Sequence, residues 1–247
     1  MSVSKKHRKL ITSLQQKKYR IKYKLFVAEG IKVVSEFLNS SFELDTLFTT
    51  GKEHFQVEEK KMVFVGENEL KQISRSQSPN AVLGLFKIPD TVNSKNTGLT
   101  LVLDGVNDPG NLGTIIRLCD WFGIADLVCS TNTVDCYNFK VVQASMGSLK
   151  RVQLHYTDIA DYLAVSERPV FIADIKGENI YESAFPEEAI LIMGSEANGV
   201  SEKIKERVKN SIAIPGFGGS IRQTESLNVA TAAAILVSEF RRQITQK

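Results

Sequence analysis

The chain has 247 residues, with 31 Lys and Arg against 28 Asp and Glu, for a formal net charge of +3. At 43% hydrophobic and 24% charged it has ordinary globular composition, which excludes a disordered or fibrous polymer. The charge is unevenly spread. Residues 1–28 carry nine basic side chains (Lys5, Lys6, Arg8, Lys9, Lys17, Lys18, Arg20, Lys22, Lys24) and no acid, leaving 22 basic against 28 acidic groups beyond them. A uniformly basic, histone-like protein is excluded, whereas a localised contact with a polyanion is not.

No apolar run approaches the ~18 residues of a membrane span. No apolar stretch follows the N-terminal charges, so a secretory signal is not expected. Three cysteines (Cys119, Cys129, Cys136) form no CxxC pair and read as reduced, mostly buried thiols of a cytoplasmic protein. The histidines His7, His54 and His155 are isolated, and no metal site is expected.

In chain order, the pattern predicts a basic amphipathic helix over about 4–20, a helix over about 28–39 and a strand over 42–49. A short strand over 62–65, a helix from about Glu67 and a strand over 82–88 complete a small α/β unit, residues 1–88. Residues 89–98 are polar, opened by Pro89 and closed by Gly98, and read as a linker. The second domain, 99–247, alternates strands and helices. Its apolar runs at 99–103, 126–129, 170–173, 189–193 and 212–214 are short and nearly continuous, as in a parallel sheet covered on both faces. Helices are expected near 111–122, 138–148, 157–164, 200–209 and 225–243. In the last, Leu227, Ala230, Ala233, Ala234, Val237 and Phe240 recur at helical spacing, and its small residues permit close approach of another backbone.

The common nucleotide fingerprints fail. Gly105 and Gly110 have the glycine spacing of a P-loop, but Asn111 and Leu112 stand where Lys and Ser or Thr are required. Residues 216–221 miss the last glycine of GxGxxG, and there is no GxSxG elbow. Three Gly/polar clusters remain, at 103–117, 191–201 and 214–229, each directly after a buried strand. Loops beyond the C-terminal ends of parallel strands converge on one edge, which points to a pocket there.

These clusters carry a resemblance. Asn111-x-Gly-Thr-Ile-x-Arg117, Gly194-Ser-Glu196-x-x-Gly199 and Ile214-Pro with Ser226-Leu-Asn228-Val resemble, in order, the three motifs of the SpoU/TrmH family of RNA 2′-O-ribose methyltransferases. Residues 140–147 are similar to the family's intermediate segment. Residues 16–30 are similar to the N-terminal RNA substrate-binding domain that many members carry. The sequence departs from the family in two places. Extra residues lie between Pro215 and Glu225, and Gln143 stands where a basic residue is common.

The resemblance implies an α/β SPOUT domain with a parallel sheet and a deep trefoil knot, S-adenosyl-L-methionine held in the knot, and a homodimer with its site near the interface. It implies catalytic roles for Arg117, Asn111, Glu196, Ser226 and Asn228, and cofactor contacts for Gly194, Ile214, Leu227, Met193 and Ile192. A guanidinium is a poor general base, so Arg117 is expected to orient the ribose and stabilise the developing alkoxide. Glu196 is expected to order the site, by pairing with Arg117 or by bonding the other loops. Asn111, Ser226 and Asn228 could equally serve as helix caps. In the basic head, Lys17, Lys18, Tyr19 and Arg20 are expected to contact RNA, lysines on phosphate and aromatic faces on unpaired bases. The favoured substrate is structured rRNA. The alternatives are tRNA, a non-catalytic RNA-binding or ribosome-assembly factor on the same fold, and a small-molecule methyltransferase.

Overall fold

The computed structural model describes residues 3–51, 55–76, 81–90, 97–218 and 225–245. His54, most of the expected linker and residues 219–224 of the third cluster lie outside them. The first elements are α1 (Lys5–Ser13), α2 (Lys17–Tyr23), β1 (Leu25–Glu29), α3 (Ile31–Leu38), β2 (Leu44–Thr49), β3 (Met62–Phe64), α4 (Glu67–Ile73) and β4 (Val82–Lys87). Next come β5 (Leu99–Asp104), α5 (Pro109–Trp121), β6 (Asp126–Ser130), α6 (Phe139–Ser145), β7 (Gln153–Thr157) and α7 (Ile159–Ala164). The chain closes with β8 (Val170–Asn179), β9 (Ala189–Gly194), α8 (Glu202–Lys205), β10 (Asn210–Ala213) and α9 (Val229–Thr245).

Two compact units result, Met1–Thr91 with Asp135–Lys150, and Val92–Val134 with Arg151–Lys247. The first holds a four-stranded sheet in the order β1-β4-β2-β3, antiparallel except for the β2–β3 pair. Its core is aromatic. Phe26, Phe37 and Phe86 are fully buried, and Tyr137 packs its ring 4.9 Å from that of Phe26. Through Tyr137 and α6, the 135–150 segment joins the first unit, and Gln143 Nε2 donates to the Glu29 carbonyl at 3.1 Å. The residue at that motif position therefore makes a backbone tie.

The expected helix over 4–20 is two helices. Leu14 closes α1, Gln16 is extended, and the buried Arg20 guanidinium takes the carbonyls of Leu14 and Gln15, each at 2.8 Å, that the break leaves unpaired. The expected helix from residue 28 begins instead at Ile31, because residues 25–29 form β1, all five of them buried. A continuous apolar run is legible as strand or buried helix alike, and here Gly30, at φ +84°, separates the two elements.

The second unit has a six-stranded, fully parallel sheet in the order β10-β8-β9-β5-β6-β7. β7 was not expected from the sequence; its residues are half-buried or exposed and show no apolar run. The 200–209 helix shrinks to α8, and the last helix starts at Val229 rather than 225. One sheet face packs Val102, Val128, Ile172, Ile190 and Ile192 against Ile159, Val200 and Ile204. The other meets α9, which also packs along α5. Because every strand runs the same way, the ends of β5, β8, β9 and β10 open on one edge.

Candidate active site

All three clusters deliver a side chain to that edge. After β5, Asp108 caps α5 by accepting the Asn111 amide on Oδ1 at 2.8 Å, so Asn111 sits inside the first turn and is not the cap. After β9, Ser195 and Gly199 exchange backbone hydrogen bonds of 3.1 and 2.8 Å, which closes a tight turn and presents Glu196 to solvent. Gly199 adopts φ +64°, and a Cβ on Gly194 would lie 1.9 Å from the Gly199 carbonyl carbon. The absent side chain at 194 thus makes room for the returning chain. Asp104, at the end of β5, accepts the Ser201 amide on Oδ2 at 2.8 Å and pins the far side of the same turn.

Asn111 Nδ2 donates to Glu196 Oε1, and Asn228 Nδ2 donates to Asn111 Oδ1 at 2.9 Å. Asn228 Oδ1 in turn accepts the amides of Ala230 and Thr231 at 3.0 and 3.3 Å, capping α9. Each orientation is forced by its neighbour. Backbone amides only donate, so Asn228 must turn its oxygen to them and its amide nitrogen to Asn111. Asn111 is left with its own nitrogen for the carboxylate, which only accepts. Capping and network membership thus coexist in one side chain. Of the two arrangements expected for Glu196, the structure has the bond to another loop, through Asn111, and not a pair with Arg117.

Beside the network lies a cavity of about 460 Å³, lined by Met193, Gly194 and Glu196 of the second cluster and by Ile214, Ser226 and Leu227 of the third. Ala173 and Asp174 reach it from β8, Ala213 from β10, Lys205 from α8, and Val229, Ala232 and Leu236 from α9. The small Ala232 leaves space that a larger residue on that turn would fill. Ile192 does not reach the cavity. Side chains alternate along β9, so Met193 faces the cavity while Ile192, fully buried, packs in the core of the opposite face. Asp174 was missed because the run after Ala173 lacks the glycine clustering that marked the other three loops, and Lys205 because it lies on α8, beyond the second cluster.

Arg117 is exposed on α5, does not line the cavity, and has no hydrogen-bond or ion-pair partner among the described residues. Six residues of helix turn it about 120° around the axis from Asn111 and carry it about 9 Å along. Among the described residues, no group of three or more His, Cys, Asp and Glu side chains could hold a metal ion. Cys119, Cys129 and Cys136 are buried and are not joined in a disulfide among the described residues, and burial pushes the Cys119 thiol pKa up to about 12. No helix of the described residues is long and apolar enough to cross a membrane.

A profile of the SpoU rRNA Methylase family matches residues 98–238, which span the network and the cavity, and one of the MRM3-like substrate binding domain matches residues 5–84. The chain belongs to the SpoU rRNA methylase family. It is 28% identical over 235 residues to the 23S rRNA (guanosine(2553)-2′-O)-methyltransferase RlmP of Bacillus subtilis, covering 92% of this chain and 93% of that protein. Among solved structures, a TrmH-family protein from Porphyromonas gingivalis superposes with a TM-score of 0.89 at 37% identity, covering 98% of this chain and all (100%) of the other. The AdoMet-bound rRNA methyltransferase of Sinorhizobium meliloti does so with a TM-score of 0.85 at 26% identity, covering 99% and 97%.

On the SpoU chain's basic head, the expected RNA-contact residues separate. Lys17 and Lys18 are exposed on α2. Tyr19 stacks on Tyr23 with ring centroids 6.2 Å apart, while Lys18 and Lys22 place their ammonium groups 5.0 and 5.5 Å from the centroids of Tyr19 and Tyr23. Arg20, only 3% exposed, faces inward. Its Nε and one terminal nitrogen meet Asp135 Oδ2 at 2.8 and 2.5 Å, and the other terminal nitrogen takes the two carbonyls already described. Arg20 is therefore a structural residue and offers nothing to a phosphate, contrary to expectation.

Proposed function

We propose that the protein transfers a methyl group from S-adenosyl-L-methionine to a ribose 2′-hydroxyl of structured RNA, with rRNA the favoured substrate. The observation that carries this is the chain Asn228–Asn111–Glu196, assembled by three separate loops at the mouth of the cavity. Glu196 and Asn228 are exposed and Asn111 is half-buried, so the network faces solvent and the cavity instead of closing within the core. The rRNA reading is supported by the 2′-O-methyltransferase from Bacillus subtilis, which aligns over nearly the whole of both chains.

The cavity fits such a cofactor: Met193, Ala213, Ile214, Leu227 and Leu236 offer an apolar bed for an adenosine, and charged groups such as Asp174, Lys176, Glu196 and Lys205 share the lining. When bound, S-adenosylmethionine supplies an activated methyl on a sulfonium, which needs no metal to leave. The residues of this chain do the rest. Met193, Ile214 and Leu227 enclose the donor and exclude water. Asn111 and Asn228 hold Glu196 and present an ordered polar wall, beside Ser226, to the ribose. We assign to Arg117, which has no competing partner among the described residues, the orientation of RNA and the stabilisation of the alkoxide as the 2′-hydroxyl loses its proton.

Arg117 lies away from its own chain's cavity, which supports a homodimer in which a second copy completes the site. Trp121, one turn further on and 84% exposed, extends the surface that such a copy would cover. We assign the family's trefoil knot to the second unit, RNA contact to Lys17, Lys18 and the Tyr19–Tyr23 pair, and the protein, with three buried cysteines outside any disulfide, to the cytoplasm.

The test is direct. Purified protein, methyl-labelled cofactor and unmodified rRNA should yield alkali-resistant 2′-O-methylated dinucleotides. Label found only on bases would sink the reaction assignment; no label despite RNA binding would establish the non-catalytic reading. Activity on tRNA in place of rRNA would reassign the substrate.

A further inference from the structure

The cavity extends well past the network. Asn111 and Glu196 follow β5 and β9, which are neighbours, whereas the cavity continues over β8 and β10 on the far side of β9. With strands about 4.8 Å apart, Asp174 of β8 stands at least one strand spacing further from β5 than Glu196. Most of the surface between is apolar, including Met193, Ala213, Ile214 and Leu236. Beyond it the lining becomes charged again, with one acid, Asp174, and two bases, Lys176 and Lys205.

Asp174 Oδ1 accepts the Lys176 amide at 3.0 Å, which fixes the carboxylate at the rim. Its Oδ2 is 3.7 Å from Lys205 Nζ, too far for a hydrogen bond. Lys205 also donates to Glu202 Oε1 at 3.1 Å, spending one of its three donors. Both rim side chains remain partly open, 26% and 32% exposed. The pair therefore offers a carboxylate and an ammonium, side by side and incompletely satisfied, at the end of an apolar trough.

We infer that Asp174 and Lys205 read the amino-acid end of the methyl donor, Lys205 taking its α-carboxylate and Asp174 its α-ammonium. This rests on the cofactor reading above. The match is one of chemical class: a zwitterion meets both groups with opposite charge, whereas a neutral ligand can offer them only the weaker uncharged hydrogen bonds. An RNA phosphate would gain Lys205 but lie against the Asp174 carboxylate, so the amino-acid end is favoured over an RNA backbone contact. With the charged tail held at the rim, the adenosine is left to the apolar bed.

Calorimetry on the full chain tests this with three ligands: S-adenosylhomocysteine, decarboxylated S-adenosylmethionine, which lacks the carboxylate, and 5′-methylthioadenosine, which lacks the whole amino-acid end. Lys205→Met should weaken S-adenosylhomocysteine about tenfold and leave the other two within about twofold. Asp174→Asn should weaken both ligands that carry the ammonium and spare 5′-methylthioadenosine. Melting temperatures of the ligand-free variants matching wild type separate binding from folding. Equal losses for all three ligands, or an unchanged S-adenosylhomocysteine affinity in Lys205→Met, would overturn the inference; so would lost RNA affinity with cofactor binding intact. If the wild-type protein binds none of the three, the cofactor reading itself fails and this inference with it.

Discussion

Arg20 and Arg117 stand in equally recognisable sequence motifs, and the structure uses them in opposite ways. Arg20 is buried, with its nitrogens on Asp135, Leu14 and Gln15. Arg117 is exposed, with no partner among the described residues. The first holds together three pieces of one unit: the break after α1, the helix α2, and the 135–150 segment that returns from elsewhere in the chain. The second is kept in reserve. A basic residue type at a motif position therefore does not separate an RNA-binding cation from a structural one; the number of acceptors within its reach does.

The largest expected effects follow from this contrast. Arg20→Ala leaves Asp135 with an unpaired, mostly buried charge and two carbonyls without donors, and should cost about 3 kcal/mol in denaturant unfolding. Arg20→Lys should recover only part of that, because an ammonium cannot reproduce the guanidinium fork. Arg117→Ala should unfold like wild type and bind S-adenosylhomocysteine normally, yet transfer methyl at least about 100-fold more slowly. The contrast breaks if Arg117→Ala is destabilised as Arg20→Ala is, or if Arg20→Ala folds normally and loses only RNA affinity.

The parallel sheet was legible because strands buried on both faces leave continuous apolar runs, and the loops after β5 and β9 and before α9 were legible because glycines and amides cluster there. Ile192 and Met193 show where legibility ends. Both are buried and adjacent, but only the side-chain alternation of a strand of known register decides which faces the cavity. The 135–150 segment shows a second limit. Its packing on β1 depends on Tyr137, Gln143 and Arg20 meeting partners more than a hundred positions away, which no local pattern encodes. Arg20 itself was misread because its basic neighbours Lys17, Lys18 and Lys22 are exposed, and the helix period that turns it inward was obscured by the break at 14–16.

A smaller effect separates fold from network within one residue. Asn228 caps α9 with its oxygen and orders Asn111 with its nitrogen. Asn228→Ser keeps an oxygen for the Ala230 and Thr231 amides and loses the amide NH₂ that reaches Asn111, so its stability should match wild type. Asn228→Ala loses the cap as well and should cost about 1 kcal/mol more. Methyl transfer should fall in both to a similar degree. Wild-type turnover in Asn228→Ser would show that the Asn228–Asn111 link is not needed.

The smallest effect concerns a buried charge with no counter-ion bonded to it, the complement of the Arg20–Asp135 pair. Glu29 is 4% exposed, and its carboxylate accepts from Ser74 Oγ at 2.5 Å and from the amides of Arg75 and Ser76 at 2.9 and 3.3 Å. Burial dominates those donors and raises its pKa above the ordinary 4.5. The folded state then holds the proton more tightly than the unfolded chain, so this group's contribution to stability is largest below the unfolded value and falls as pH rises through the folded one. Glu29→Gln cannot titrate, but it turns an amide NH₂ toward one of the three donors, which should cost about 1 kcal/mol at acidic pH. Unfolding free energies measured across that window should show the wild-type advantage over Glu29→Gln shrinking as pH rises. An advantage that grows with pH would mean that the hydrogen bonds to the ionised carboxylate outweigh its burial, as the guanidinium does for Asp135.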